Sequence, residues 1–168
     1  LHKFFNFGEH NYNDFSAADF NKTLIRVYQL FKITPGQIKL SQLEWGVNLT
    51  PPIDSNTINE NLVLFKRSFF EQNRDKYYQA ELSEYIIKAY NKSFLNNLTR
   101  EIFRFERKQM HYYKYNKKHQ IGFTLQDLIE SDFKGLRDTL TEDWEQVVLT
   151  DPFLPENRAD LLKYQIRN

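Results

Sequence analysis

Residues 85–92 read Tyr-Ile-Ile-Lys-Ala-Tyr-Asn-Lys, and this stretch decides how the chain is expected to fold. Side chains of a β-strand alternate between its two faces, so Lys88 and Tyr90 share one face with Ile86. The pattern therefore predicts a strand that carries an ammonium group and a phenol on the same side of a sheet.

Two other stretches alternate in the same way. In residues 43–49 (Leu-Glu-Trp-Gly-Val-Asn-Leu), Glu44 lies on one face of the predicted strand and the side chains of the other face are apolar. In residues 102–107 (Ile-Phe-Arg-Phe-Glu-Arg), Arg104 and Glu106 face away from two phenylalanines. If these strands are neighbours, two carboxylates and an arginine converge with the lysine and the tyrosine on one sheet face.

The rest of the chain predicts an α+β fold with the order β-α-β-α-β-β-α-α. The predicted strands cover residues 1–7, 39–49, 77–90 (interrupted near Glu81) and 100–110. The predicted helices cover 16–32, a stretch that starts at Asp54 or Ser55 and buries Ile58, Leu62 and Phe65, then 124–130, 133–148 and a terminal 159–166. Because short segments connect the later strands, we expect a largely antiparallel sheet with helices packed on one face.

Helix starts carry their own signals. Ser16 with Asp19, and Thr124 with Asp127, have the spacing of a capping box with Asp in place of the usual Glu. Loops are predicted at residues 71–76 and 91–97, and the pattern leaves residues 112–120 without a predicted type.

Length and composition predict one domain over residues 1–168, with a helical C-terminal part at 124–168. The chain has no cysteine, which excludes disulfides and thiolate metal sites and suits a cytoplasmic location. It has no apolar run of the roughly 18–20 residues that span a membrane. Because it begins with Leu1 inside a predicted strand, we expect a fragment that lacks upstream strands.

Charge is unevenly distributed although the net charge is only +1. Residues 85–118 contain nine basic and two acidic side chains, whereas residues 124–160 contain ten acidic and three basic ones. The basic part can attract a polyanion, whereas the acidic part repels it. Two other interpretations remain open: solvated surface charges, or an interaction protein whose two halves dock head to tail.

These motifs together resemble those of phage and plasmid replication initiators related to the filamentous-phage gene II protein and the trans-acting plasmid Rep proteins. That family has a strand of the type I-K-x-Y-[DN]-K, matched by residues 87–92, and then a strand of the type R-F-E, matched by residues 104–106. Residues 1–6, 11–15 and 43–48 add to the resemblance, which fades after about Leu128.

The resemblance implies rolling-circle initiation, in which a tyrosine nicks one DNA strand and becomes linked to its 5′-phosphate. It implies Tyr90 as the nucleophile, and Glu44 and Glu106 as ligands of Mg²⁺ or Mn²⁺. The ammonium groups of Lys88 and Lys92 are then expected to favour the phenolate of the nucleophile. The His-hydrophobic-His metal motif of many rolling-circle nucleases is absent, since the histidines are scattered, and this departure leaves the metal to carboxylates.

A basic and aromatic segment follows the third strand. Bases stack on aromatic rings while lysines follow phosphates, so the segment predicts a DNA-binding surface. With the preceding strand, the expected contacts are Arg104, Arg107, Lys108, Tyr112, Tyr113, Lys114, Tyr115, Lys117 and Lys118. Among these residues, Tyr115 is also the rival nucleophile.

Less specific interpretations of the same residues stay open. The two glutamates can pair with Lys88 and Arg104 as ordinary surface salt bridges. The chain can also be a non-catalytic single-stranded nucleic-acid-binding module, or a degenerate initiator, whose affinity falls steeply as salt rises.

Overall fold

The computed structural model describes residues 1–9, 11, 13, 15–73 and 77–150. The helices are α1 (His2–Phe5), α2 (Ala17–Phe31), α3 (Ser55–Glu60), α4 (Lys92–Asn96), α5 (Tyr112–His119), α6 (Leu125–Glu130) and α7 (Leu136–Trp144), with a 3-10 turn at Pro35–Gln37. The strands are β1 (Leu43–Leu49), β2 (Leu62–Phe65), β3 (Ser68–Phe69), β4 (Glu71–Asn73), β5 (Tyr77–Glu81), β6 (Tyr85–Asn91), β7 (Phe103–Gln109) and β8 (Val147–Leu149). The predicted α+β class is confirmed.

Five strands form one antiparallel sheet in the order β1-β7-β6-β5-β4, and a small antiparallel sheet has the order β3-β2-β8. The three stretches singled out in the sequence are therefore direct neighbours, with β7 between β1 and β6. In this register Glu106 lies opposite Gly46 on one side and Lys88 on the other.

One face of the large sheet, which we call the covered face, carries the hydrophobic core. Strands β5, β6 and β7 and the small sheet supply the core of this covered face, which comprises Leu62, Phe65, Phe70, Ala80, Tyr85, Ile87, Ala89, Phe103 and Phe105. Ile58 of α3 and Leu140 of α7 pack against it. Burial of this apolar surface drives folding and leaves the opposite sheet face to polar groups.

Helix starts were predicted well from sequence. The Ser16–Asp19 and Thr124–Asp127 capping boxes both form, and the Asp54 side chain caps α3 by accepting from the backbone of Thr57. Each cap is a contact within one helical turn, so nothing distant in the chain has to be known to predict it.

Two N-terminal assignments were wrong. Residues 1–7 are not a strand, since α1 spans His2–Phe5. The helix predicted to bury Leu62 and Phe65 ends at Glu60, and Leu62–Phe65 forms β2 between β3 and β8. A short apolar run fits a buried helix or a buried strand equally well, and here the available partner strands decide.

The C-terminal prediction was wrong in part. The helix expected to reach Val148 ends at Trp144, and Val147–Leu149 pairs with β2, so residues 124–150 are not all helical. The helix predicted at 159–166 lies outside the described residues. Loops predicted at 71–76 and 91–97 contain β4 and α4, and residues 112–119 form α5.

Within the described residues no helix combines the length and apolar character needed to cross a membrane.

Gly46 sets the spacing between β1 and β7. A Cβ atom at this position would overlap the Cβ of Glu106 and the carbonyl oxygen of Phe105. The absence of a side chain therefore lets the two strands approach at the point where Glu106 is held.

Gly46→Ala is expected to destabilise the fold by about 1–3 kcal/mol, the usual cost of overpacking. Gly36→Ala is the matched control, because a Cβ at Gly36 meets no atom within 4 Å. Urea unfolding followed by circular dichroism checks both variants. Equal midpoints for the two would contradict the close approach of the strands.

Candidate functional site

The strand register places the polar candidates on one face of the large sheet. Lys88 of β6 and Gly46 of β1 lie opposite Glu106 of β7, and Tyr90 lies opposite Arg104. We call Glu44, Lys88, Tyr90, Arg104 and Glu106 the polar face. The expected convergence of these side chains is confirmed.

Lys88 joins the two carboxylates. Its Nζ lies 3.2 Å from Oε2 of Glu44 and 3.3 Å from Oε1 of Glu106. Burial opposes the charged lysine, but the charges of Glu106 and Glu44 outweigh burial and raise the pKa of Lys88. The salt-bridge pairing that sequence reasoning left open is thus present.

Glu106 is the most enclosed group of the polar face, with its side chain 6% exposed against 45% for Glu44. Its Oε2 accepts from Nε of Arg104 at 3.0 Å and from the hydroxyl of Tyr90 at 3.3 Å. Burial favours the protonated acid, yet Arg104 and Lys88 overcome it and lower the pKa of Glu106. The folded protein therefore holds an ionised carboxylate at this position.

Tyr90 is half-buried and donates its hydroxyl proton toward Glu106. Burial, followed by the negative charge of Glu106, raises the pKa of Tyr90 despite the opposing charge of Arg104. These effects favour the phenol in the resting protein, and the role of Lys88 and Lys92 in favouring the phenolate stays a prediction.

Lys92 is buried rather than open to a substrate. Lys92 is only 1% exposed. Its Nζ donates to the carbonyl of Asn11 at 2.6 Å and to Oδ1 of Asn48 at 3.4 Å. Its ammonium group ties the N-terminal segment to β1. These contacts fit a positioning role for Lys92, and its catalytic role stays a prediction.

Arg107 does not belong to a DNA-binding surface. It lies on the covered face, where its Nη1 donates to Oδ2 of Asp143 at 2.8 Å. Its guanidinium carbon lies 3.4 Å from the ring centroid of Tyr85. Strand alternation already predicted this burial, because Arg107 points to the same face of β7 as Phe103 and Phe105.

Tyr112 and Tyr115 are also buried, at 0% and 4% exposure. The hydroxyl of Tyr115 donates to the carbonyl of Lys134 at 3.1 Å, and burial raises the pKa of Tyr115 to about 12. This geometry makes Tyr115 unsuited to attack a phosphate and favours Tyr90 of the two rival nucleophiles.

The remaining basic residues lie at two places. Lys108 is half-buried on the polar side of β7, opposite Glu44. One side of α5 exposes Tyr113, Lys114, Lys117 and Lys118, which we call the α5 surface. Because buried Tyr115 of α5 packs on Trp45, whose side chain points away from Glu44, α5 lies against the opposite side of the sheet.

Sequence reasoning missed Tyr77. Its ring centroid lies 6.3 Å from that of Tyr90 and 5.6 Å from Nζ of Lys88. The register of the β5–β6 hairpin pairs Tyr78 with Ala89 and so brings the preceding Tyr77 beside Tyr90. That register was the missing information.

The polar face fits a divalent cation in donor chemistry. Glu44 and Glu106 already present oxygens to one cation, the ammonium of Lys88. Mg²⁺ is commonly held by one or two carboxylates together with phosphate and water oxygens. The described residues contain no cluster of three or more His, Cys, Asp or Glu side chains arranged for a metal.

No family model, curated protein or solved structure matches the chain. The chemistry of the polar face and its motifs therefore guide the assignment of function.

Glu106→Gln is expected to lower the free energy of unfolding at pH 7 by about 1.5–3 kcal/mol, because hydrogen bonds to a charged group are lost. The lowered pKa of Glu106 makes its contribution complete above its ordinary value of 4.5 and lost as pH falls through the folded value. The difference from wild type should therefore shrink below pH 4.5. Urea unfolding across pH 3–7 measures it.

Glu44→Gln is the control, because its half-exposed carboxylate is expected to contribute at most about 1 kcal/mol. Equal losses in the two variants, or a Glu106→Gln loss that does not change with pH, would contradict this account of the polar face.

Proposed function

We propose that this protein is a DNA replication initiator of a phage or plasmid element, an endonuclease that nicks single-stranded DNA with Tyr90. The observation that carries the proposal is the chain of contacts from the Tyr90 hydroxyl to Glu106 and on to Lys88 and Arg104. It brings a nucleophile, a proton acceptor and two phosphate-binding cations together on one face.

The proposed step is a phosphoryl transfer. The oxygen of Tyr90 attacks the scissile phosphorus, a bond forms between them, and the bond from phosphorus to the 3′ oxygen breaks. The phenol proton passes to Oε2 of Glu106, which the hydroxyl already faces at 3.3 Å. The departing 3′ oxygen takes a proton from water, leaving a free 3′-OH and a 5′-phosphotyrosine link.

In the resting protein the lowered pKa of Glu106 and the raised pKa of Tyr90 oppose proton transfer, and substrate binding would counter this. Arg104 and Lys88 lower the pKa of Glu106 while they bind it. A phosphate that draws these two cations to its own oxygens removes that effect, so Glu106 becomes a stronger base next to Tyr90. Arg104 is suited to such a role because its guanidinium can bind two phosphate oxygens at once.

Glu44 and Glu106 are the residues that would hold Mg²⁺ or Mn²⁺. Such an ion offsets negative charge on the phosphate oxygens when bound. In the resting protein Lys88 occupies the same carboxylates, with its Nζ 3.2 Å from Glu44 and 3.3 Å from Glu106.

A second function has its own support. Lys108 and the α5 surface can bind single-stranded DNA without chemistry, and the closed salt bridges of the polar face fit a non-catalytic binding module equally well. The two functions differ in whether a covalent product forms. In both, the partner is single-stranded or origin DNA, in the cytoplasm of the host cell.

Tyr90→Phe is expected to lower the yield of the covalent adduct by about 1000-fold or more, because the attacking oxygen is lost. Wild type and variant are incubated with a random-sequence single-stranded DNA pool and Mn²⁺, then run on a denaturing gel. A 3′ label should move with the protein, whereas a 5′ label should leave on the free fragment.

Tyr115→Phe serves as the control and should retain the adduct, since that hydroxyl is buried against Lys134. An adduct at normal yield in Tyr90→Phe refutes the nucleophile assignment. Wild-type binding without any adduct, while affinity still falls steeply with salt, identifies the binding module instead.

Lys88→Met is expected to tighten Mn²⁺ binding about 10-fold, because the ammonium between the carboxylates is removed. Glu106→Gln and Glu44→Gln should weaken binding by a similar factor. Electron paramagnetic resonance of free Mn²⁺ measures all three, with exposed Lys22→Met as the unchanged control. Weaker binding in Lys88→Met would contradict the carboxylate site.

A further inference from the structure

A cavity of about 310 Å³ opens where β5 and β6 meet α3 and α4, at the Tyr90 end of β6. Asn59 and Glu60 of α3, Asn91, Tyr77 and Phe94 are among its lining residues. Its volume lies at the lower end of the range of about 300–1,000 Å³ that is typical of small-molecule sites.

Tyr77 connects the cavity to the polar face. It lines the cavity, and its ring centroid lies 6.3 Å from that of Tyr90. Tyr77 is thus shared by the cavity and the polar face, whereas the lining residues Tyr78 and Asn91 lie on the covered face by strand parity.

Asn59 supplies the polar group of the cavity that a ligand would bind. Asn59 is only 5% exposed, and its Oδ1 has no hydrogen-bond partner among the described residues. A buried acceptor without a partner costs about 1–3 kcal/mol. The terminal torsion of an asparagine side chain is broad, so a small rotation turns the carboxamide toward the cavity.

The neighbouring amides are already used. Nδ2 of Asn91 donates to Oδ1 of Asn56 at 3.2 Å and to Oε1 of Glu101 at 3.3 Å, and Oδ1 of Asn91 caps α4. The wall beside Asn59 is thus held by hydrogen bonds, and Oδ1 of Asn59 is the buried acceptor in this wall that has no partner among the described residues.

Phe94 supplies an apolar surface at the cavity. It is the second residue after Lys92 in α4, and its side chain is 70% exposed, a high value for a ring that also lines a cavity. Exposed aromatic rings of this kind stack on nucleobases in single-strand-binding proteins.

We infer that this cavity binds one nucleobase of the single strand, turned out of the strand next to the phosphate at Tyr90. The inference rests on the proposed function for its substrate class. Phe94 stacks on the base, and Oδ1 of Asn59 accepts from its edge. Because Glu60 also lines the cavity and its carboxylate only accepts, the site suits a base with an exocyclic amino group.

Cytosine and uracil differ in that amino group and form a matched pair of probes. The full chain, labelled with ¹⁵N, is titrated with dCMP, dUMP and deoxyribose 5-phosphate, and the side-chain amide signals are followed by NMR. We expect dCMP to bind at least 5-fold more tightly than dUMP and to shift the Asn59 signal. Deoxyribose 5-phosphate should not shift it.

Asn59→Leu should weaken dCMP binding at least 5-fold while raising the melting temperature, a combination that a merely structural asparagine would not produce. Phe94→Ala should weaken it by a similar factor without unfolding, since the ring is largely exposed. Gln126→Leu, on the exposed side of α6, is the unchanged control.

Equal binding of dCMP and dUMP, binding of deoxyribose 5-phosphate at the same affinity, or unchanged affinity in both Asn59→Leu and Phe94→Ala would each overturn the base pocket. The adduct assay separates this result from the proposed function. Base binding without any wild-type adduct contradicts nicking alone, and an adduct without base discrimination contradicts the pocket alone.

Discussion

The buried carboxylate of Glu106 is the constraint around which the sheet is organised. It lies on the central strand pair, 5% exposed, and receives hydrogen bonds from Lys88, Arg104 and Tyr90. A charge in that position is tolerable only when it is paired and hydrogen-bonded. The close approach at Gly46 and the register of β1, β7 and β6 bring the partners of Glu106 to it.

The same groups serve stability and the proposed chemistry, and the two demands conflict. While Lys88 and Arg104 hold Glu106 ionised, it is a weak base and Tyr90 stays protonated. A bound phosphate competes for exactly those cations, so substrate binding is what would activate the nucleophile.

Sequence reasoning located most of the polar face because strand alternation is a local property. Glu44, Lys88, Tyr90, Arg104 and Glu106 needed only parity and the assumption that their strands are neighbours. Arg107 was misjudged although its parity with Phe103 marked it as buried. Tyr112 and Tyr115 were placed on the DNA-binding surface because the helix over residues 112–119 was not predicted. Its buried side follows from packing on Trp45.

The amino-acid sequence by itself determined the α+β class, the helix caps and the two faces of each main strand, since all depend on neighbours within a few residues. Only the tertiary structure decided that Val147–Leu149 pairs with β2, that Lys92 is buried against Asn11, and that Tyr77 meets Tyr90. These contacts join residues far apart in the chain, and strand register and packing, which no local pattern encodes, select them.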